Sequence, residues 1–337
     1  LLQEEAILHA DAIVIGEAEF AWKQLLKDVK ENKLQKIYNG SFGLPQAGCF
    51  PRRDLFKGKK YLPVSLVQFS RGCKFNCTFC SVSSLYNHSH QCRNIDDVLY
   101  EIEKDKLKTI FFVDDNMVAN REALKVFLKE LIPLKVRWAT QTSIDMVNDR
   151  EMLKLMADSG CLGILTGFES ININTLKLIK KYHNIRDFDS YKEALGILRD
   201  YGFLIWASFI IGNDYDNLDS IKKTVEFAIQ NKFSFAFLNI LMPYPETGVY
   251  NQFKKEDRLL YDGHWWNHSD YRYNQAAFKP KLMSAHQLSE ALAKANKDLY
   301  SISSISRRLF DVKTNMRNLV NFLVYTRLNY ILRNTSV

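Results

Sequence analysis

The stretch Ser70-Arg71-Gly72-Cys73-Lys74-Phe75-Asn76-Cys77-Thr78-Phe79-Cys80 sets three cysteines at the spacing C-x3-C-x2-C. It directly follows an apolar, strand-type run over residues 64–69. Three thiolates on one short loop can hold a soft metal centre. They can ligate three irons of a 4Fe–4S cluster, which has four to satisfy, so one iron stays open for chemistry. A structural zinc site drawing on Cys92 as fourth ligand is the competing reading, but zinc modules favour paired C-x2-C knuckles. A disulfide framework fits poorly, because only six of 337 residues are cysteine and three crowd one loop. Cys49, Cys92 and Cys161 read as ordinary thiols.

A chain of 337 residues can bury a barrel-sized core. No apolar run approaches the ~20 residues that span a bilayer, and the start carries no signal-peptide pattern. The expected location is cytoplasmic. The first residue is Leu rather than Met, so a fragment or processed product is expected. The net charge of +8 would suit an anionic partner. No dense Lys/Arg block stands out, so a solvated basic surface is the plainer reading and no nucleic-acid partner is expected.

Residues 11–15 read as a short buried strand, and the apolar positions from Ala18 to Val29 have helical spacing. Residues 39–63 form a linker broken by Gly40, Gly43, Pro45, Gly48, Pro51, Gly58 and Pro63. From Val64 the pattern alternates. Strands are expected at 64–69, 109–113, 136–141, 162–168, 204–211 and 235–241. Helices are expected near 95–104, 120–131, 149–158, 172–200 and 217–231. Asp149 sits where an N-terminal cap belongs. Such alternation argues for a parallel sheet curled into a partial, six-stranded βα barrel of the TIM-like, α/β class. The expected divisions are 1–38, the linker 39–63, the barrel 64–250 and a C-terminal aromatic and helical extension 251–337.

In a βα barrel, active groups sit at the C-terminal ends of the strands. After the cysteine loop, that rule selects Asp114, Asp115 and Asn116, then Gln141 and Ser143, then the Gly167-Phe168-Glu169-Ser170 run. Gly212-Asn213-Asp214 and the 243–248 loop follow. Asp115 and Asn116 alone would also suit a helix cap. Beyond the barrel, Trp265, Trp266, His264, His268, Tyr271 and Tyr273 form an aromatic cluster. Residues 284–300 read as a helix capped by Ser284, and the tail mixes apolar residues with arginines. It is expected to close the open side of the barrel, with contact at a membrane surface as the alternative.

Cys73, Cys77 and Cys80, with Phe79 before the last, resemble the CxxxCxΦC signature of the radical S-adenosylmethionine (SAM) enzymes. The patches 10–19, 51–55 and 167–170 resemble the subgroup that carries an N-terminal cobalamin-binding domain, which includes hopanoid methylases. The resemblance runs from about Asp11 to about Leu288. It implies a 4Fe–4S cluster on the three cysteines, SAM on the open iron, and reductive cleavage to a 5′-deoxyadenosyl radical. It implies that Phe79 lies along the adenine and that Asp114 and Asp115 stand near the SAM amino group, where many members have Gly-Gly-Glu. It further implies that Gln141, Ser143 and Glu169 hold the SAM carboxylate and ribose, and that Gly212 lets the backbone approach the adenine. No catalytic residue beyond the cluster ligands is singled out. Residues 1–38 resemble the end of a Rossmann-like cobalamin domain without its DxHxxG loop. Cobalamin is therefore expected only if such a domain lies upstream, and residues 1–38 are expected to pack on the barrel or expose an apolar patch at Ile13, Val14 and Ile15. A reductant such as ferredoxin or flavodoxin is implied, with a small-molecule or lipid substrate modified by carbon methylation or a related step. The rivals are a methylthio-transferring RNA-modifying enzyme and a non-catalytic iron–sulfur or zinc protein.

Overall fold

A computed structural model describes residues 2–40, 43–44, 47–56, 58–106, 108–186 and 191–335. Pro45 of the expected linker, and residues 187–190 of the helical pattern at 172–200, lie outside them.

Six parallel strands form the main sheet: β3 (Ser65–Val67), β6 (Thr109–Phe112), β7 (Arg137–Thr142), β8 (Cys161–Glu169), β9 (Leu204–Ile211) and β10 (Phe235–Ile240). They lie in chain order across the sheet, from β3 at one edge to β10 at the other. The sheet curls. Phe111 on β6 and Trp206 on β9, two strands that are not neighbours, stack at 6.4 Å between ring centroids across the concave face. Gly163 makes room there, since a Cβ would stand 3.2 Å from the Trp206 ring.

Helices α4 (Ile95–Asp105), α5 (Arg121–Leu131), α6 (Arg150–Asp158), α9 (Tyr191–Asp200) and α10 (Leu218–Gln230) follow successive strands. Helix α5 shows why they dock. Its Leu124, Phe127, Leu128 and Leu131 are fully buried. At about 1.5–3 kcal/mol for each such side chain, burial outweighs the roughly 1 kcal/mol of a cap. The cap of α5 is Asn120, whose side chain accepts from Ala123 N, so Asp115 and Asn116 are not used for it. Asp149 caps α6 as expected, accepting from Met152 N at 3.0 Å.

The pattern at 172–200 is not one helix. It divides into α7 (Ile173–Leu178), α8 (Tyr182–Arg186) and α9. The break comes at Ile179, whose carbonyl accepts from Thr78 N at 3.1 Å, and at Lys180, with φ of 56°. The chain leaves helical geometry there to bond with the cysteine loop.

The N-terminal unit holds α1 (Gln3–Ala6), β1 (Ile13–Ile15), α2 (Ala18–Lys30) and β2 (Ile37–Asn39). Strand β2, not expected from the sequence, pairs in parallel with β1. The unit is tied to the barrel through Arg71, which binds Glu17 and lies 3.1 Å from Glu19, and to the C-terminal extension through Trp266, whose Nε1 donates to Glu5 at 2.6 Å. The exposed apolar residues of this unit include Phe20, Trp22, Leu26 and Val29 on α2 and Ile37 on β2, but not Ile13–Ile15, which are half-buried.

Beyond α11 (Gly248–Lys255), Ser284 and Gln287 form a capping box on α12 (Ala285–Leu299). Helix α12 packs on β10 and α10, with α13 (Ile302–Leu309) and α14 (Leu319–Thr335) beyond it. Arg308, fully buried on α13, donates to the carbonyls of Phe233, Ser234 and Leu299. The extension therefore covers the β10 edge. No helix among the described residues is long and apolar enough to cross a membrane.

Candidate active site at the cysteine loop

Two short strands, β4 (Ser70–Gly72) and β5 (His90–Cys92), pair antiparallel and hold the two ends of the segment that carries Cys73, Cys77 and Cys80. Gly72 has φ of 87°, and a Cβ there would stand 2.2 Å from Ser89 O, so no side chain fits. Cys80 N donates to Cys77 O at 3.1 Å, and Cys80 then opens α3 (Ser81–Leu85). Thr78 O accepts from Val249 N at 3.0 Å. The loop thus reaches from the end of β3, the first sheet strand, to the chain just after β10, the last.

Cys77 is buried, and Cys73 and Cys80 are half-buried. Burial pushes the Cys77 thiol up to about 12, with the Lys181 ammonium opposing it. Burial also raises the Cys73 thiol, against a hydrogen bond from Asn116. Thiols held this way ionise readily only when a metal takes the proton's place. Asn116 Nδ2 donates toward Cys73 Sγ at 3.8 Å and to Ser143 Oγ at 3.2 Å. Among the described residues, no three His, Cys, Asp or Glu side chains converge on a single ion. A cluster asks for no such convergence, because each thiolate takes a different iron. Three thiols, an N–H donor on one sulfur and a nearby ammonium make a donor set that fits an anionic iron–sulfur cluster.

The carboxylates after β6 face the loop's backbone. Asp114 is fully buried and accepts from Phe69 N at 3.1 Å, from Ser70 N and from Ser70 Oγ. Burial raises its carboxyl to about 6 in spite of those donors. Asp115 accepts from Gly72 N at 2.8 Å. The resemblance implies that both stand near the SAM amino group; in this structure the Asp114 and Asp115 oxygens also pin the strand that leads into Cys73. Gln141 Nε2 donates to Asp114 O at 3.2 Å, which also turns it toward this clamp.

Glu169 closes β8 with φ of 62°, at a register shift against β9. It is buried and pairs with Lys181 at 2.8 Å. Gly167 is needed beside them, since a Cβ would stand 2.2 Å from Glu169 Oε1 and 2.8 Å from Lys181 Nζ. Lys181 also lies 6.0 Å from the centroid of Phe79. Burial alone would lower the Lys181 pKa, but the Glu169 carboxylate raises it, and the net shift is upward. Gly212 has φ of 91°, and the side chains of Leu288 and Phe278 occupy the space where its Cβ would go. The site therefore joins Cys73, Cys77, Cys80, Phe79, Glu169 and Ser143 with Asn116 and Lys181. The roles of the last two were not legible in the sequence. Asn116 appeared only as one polar group at a strand end, and Lys181 lies outside every strand end.

A family model for the radical SAM superfamily matches residues 67–228. The chain is 30% identical over 335 residues to the bacteriochlorophyllide d C-12(1)-methyltransferase of Chlorobaculum tepidum, across 96% of this chain and 72% of that one. The bacteriochlorophyllide d C-8(2)-methyltransferase of the same organism is 27% identical over 311 residues, 84% of this chain and 68% of that one. The solved structure of the cobalamin-dependent S-adenosylmethionine radical enzyme OxsB with aqua-cobalamin bound matches with a TM-score of 0.67 at 14% identity. That match covers 99% of this chain and 57% of OxsB, and it speaks to the fold alone. The chain belongs to the radical SAM superfamily. It is an enzyme of the kind that uses a 4Fe–4S cluster and SAM, and the two relatives described above are named methyltransferases.

Proposed function

We propose that Cys73, Cys77 and Cys80 hold the cluster and that this barrel directs SAM-derived radical chemistry onto an apolar substrate, with methylation of a carbon by a methyl group from a second SAM as the outcome. The observation that carries the reading is the placement of three thiols on one hairpin-held loop at the C-terminal rim of the curled sheet. When bound, the cluster supplies the electron that cleaves SAM and an open iron for the SAM amino and carboxylate groups.

The chain's own groups bind, orient and exclude water. Lys181 offers an ammonium beside Phe79 that can meet the SAM carboxylate, with Glu169 holding it in place. Glu169 still has a second oxygen for a ribose hydroxyl. Asp114 and Asp115 act as positioning residues through the loop backbone. Asn116 orients Cys73 and Ser143 together. Above the Phe111–Trp206 stack, the concave face offers Val113, Leu165, Ile210 and Phe237, with Gln141 and Ser208 as polar points. Val113 and Phe237 stay more than a third exposed there. Such a surface suits a large, flat or lipid-like apolar molecule. The names of the relatives favour a tetrapyrrole of the chlorophyllide kind. All six cysteines are free thiols, which suits a reducing cytoplasm. Cobalamin enters this reading only through a further domain.

Anaerobic reconstitution tests it. About four irons and four sulfides per chain are expected, with 5′-deoxyadenosine formed on adding SAM and dithionite. Cys73→Ala, Cys77→Ala and Cys80→Ala should each abolish that product, while Cys161→Ala should not. Stoichiometric zinc without sulfide in anaerobically purified protein would overturn the assignment.

A further inference from the structure

Helix α14 is built inside out. Its Asn321, Tyr325 and Asn329 recur every fourth residue, so they share one face, and all three are buried. Hydrogen bonds hold that face. Asn321 Nδ2 donates to Thr314 O at 2.8 Å, Tyr325 Oη to Ile305 O at 2.7 Å and Asn329 Nδ2 to Ser234 O at 3.1 Å. Asn329 Oδ1 in turn accepts from the buried Arg308 at 2.9 Å. Turning the helix to hide its leucines would strand these groups without partners, so its rotation is fixed. The opposite face is left to solvent: Leu319, Leu323 and Tyr330 are 70%, 54% and 68% exposed, with Ile331 beside them. Phe310 and Val312, in the segment that leads into α14, are exposed as well.

The charge carried with this face has one sign. Residues Val312 to Thr335 include Lys313, Arg317, Arg327 and Arg333 and no Asp or Glu. Asp200 pairs with Lys313 at 2.5 Å, which leaves the three arginines as excess positive charge. We infer that this face docks on an anionic lipid surface, with α14 lying in the plane of the headgroups rather than crossing the bilayer. Leu319, Leu323 and Ile331 enter the acyl boundary, Tyr330 sits at headgroup level, and the arginines meet lipid phosphates. A second copy of the chain fits worse, because a two-fold contact through this face would set arginines against arginines with no carboxylate between them. The place in the fold separates this surface from the cysteine site. Tyr325 stacks on Phe235, the first residue of β10, at 6.3 Å, and Ser234 comes just before it. Helix α14 therefore lies at the N-terminal end of that strand, and the cysteine loop lies at the C-terminal rim. A bilayer bound here leaves the rim uncovered.

The test uses the full chain and vesicles of phosphatidylcholine, alone or with phosphatidylglycerol in equal parts, read by flotation. The chain should float with the mixed vesicles, less so as salt rises, and little with phosphatidylcholine alone. Leu323→Ser with Tyr330→Ser should weaken binding by on the order of 10-fold or more. Arg327→Gln with Arg333→Gln should cause a comparable loss and flatten the salt dependence. Lys129→Gln with Lys154→Gln removes as much charge from α5 and α6 and should change binding little. The parent's melting temperature should be kept in the Leu323→Ser, Tyr330→Ser variant, since those side chains face outward. Failure of the parent to float, or parent-like flotation by that variant, would overturn the inference. So would an equal loss from the α5 and α6 pair, which would assign binding to net charge alone. A lower melting temperature in the Leu323→Ser, Tyr330→Ser variant would overturn it by showing that the face is packed. A dimer in vesicle-free buffer that the same variant abolishes would overturn it in favour of a second copy.

Discussion

Helix α5 of the barrel and helix α2 of the N-terminal unit both carry apolar residues every third or fourth position. On α5, four of them are fully buried against the sheet. On α2, Ala21 is the buried apolar residue, while Phe20, Trp22, Leu26 and Val29 remain 42%, 51%, 44% and 48% exposed. The local pattern is the same, and the difference lies in the layer behind it. Helix α5 faces a six-stranded sheet, whereas α2 faces only the two three-residue strands β1 and β2. Amphipathic spacing states which face a helix can bury; the size of the neighbouring layer decides whether it does.

The sharpest contrast should come from buried charge. Glu169→Gln leaves Lys181 buried without its partner, and about 3–5 kcal/mol of stability should be lost. The resemblance alone would have predicted weaker SAM binding with an unchanged melting temperature. Combining Glu169→Gln with Lys181→Met should recover most of the stability but not SAM affinity, measured by thermal melts and calorimetric titration. Full stability in the single variant would show that the pair contributes little to the fold.

Next come matched truncations in the two helices. Leu128→Ala on α5 should cost about 2–5 kcal/mol in denaturant unfolding, and Leu26→Ala on α2 no more than about 0.5 kcal/mol. Equal costs would break the comparison, because they would mean that α2 is covered in solution.

The joint between the regions should show an intermediate effect. Arg71→Met strips a partly buried cation from Glu17 and Glu19 and should cost about 1–3 kcal/mol. Limited proteolysis should then cut the first forty or so residues faster while sparing the barrel.

The smallest effect is a pH dependence inside the barrel. Burial would raise the Asp149 carboxyl, but the Met152 N–H and the Lys125 ammonium outweigh it, so its folded pKa lies below the usual value. Its contribution is therefore present above pH ~4 and lost as pH falls through the folded pKa. Asp149→Asn keeps the capping oxygen and loses the charge. It should cost about 0.5–1 kcal/mol near neutrality, with the gap closing toward pH 3. A gap that persisted at low pH would assign the effect to the cap rather than to the ion pair.

What could be read in the chain beforehand follows from range. Most of the barrel strands were legible because they are apolar or β-branched runs between helical patterns, several ending at Gly, Asp or Pro, and the cysteine loop because its spacing is local. The break at Ile179 and Lys180 was not legible, since it is forced by a bond to Thr78, a hundred residues earlier. Lys181 was hidden for the same reason, as nothing near it in sequence signals a buried carboxylate partner. Strand β2 was too short to leave a period. The two aspartates after β6 were found by position, but their partners are backbone N–H groups, which a sequence does not display.

The bond between Thr78 O and Val249 N has a consequence for how the protein is made. A ribosome delivers the cysteines long before it delivers Val249. Until then the loop lacks its last anchor, and three thiols stand on a nascent chain without a finished cradle. If the cysteines hold a cluster, its loading is expected to follow synthesis of the final strand. A chain released short of residue 249 should emerge with its cysteines intact and acquire little iron.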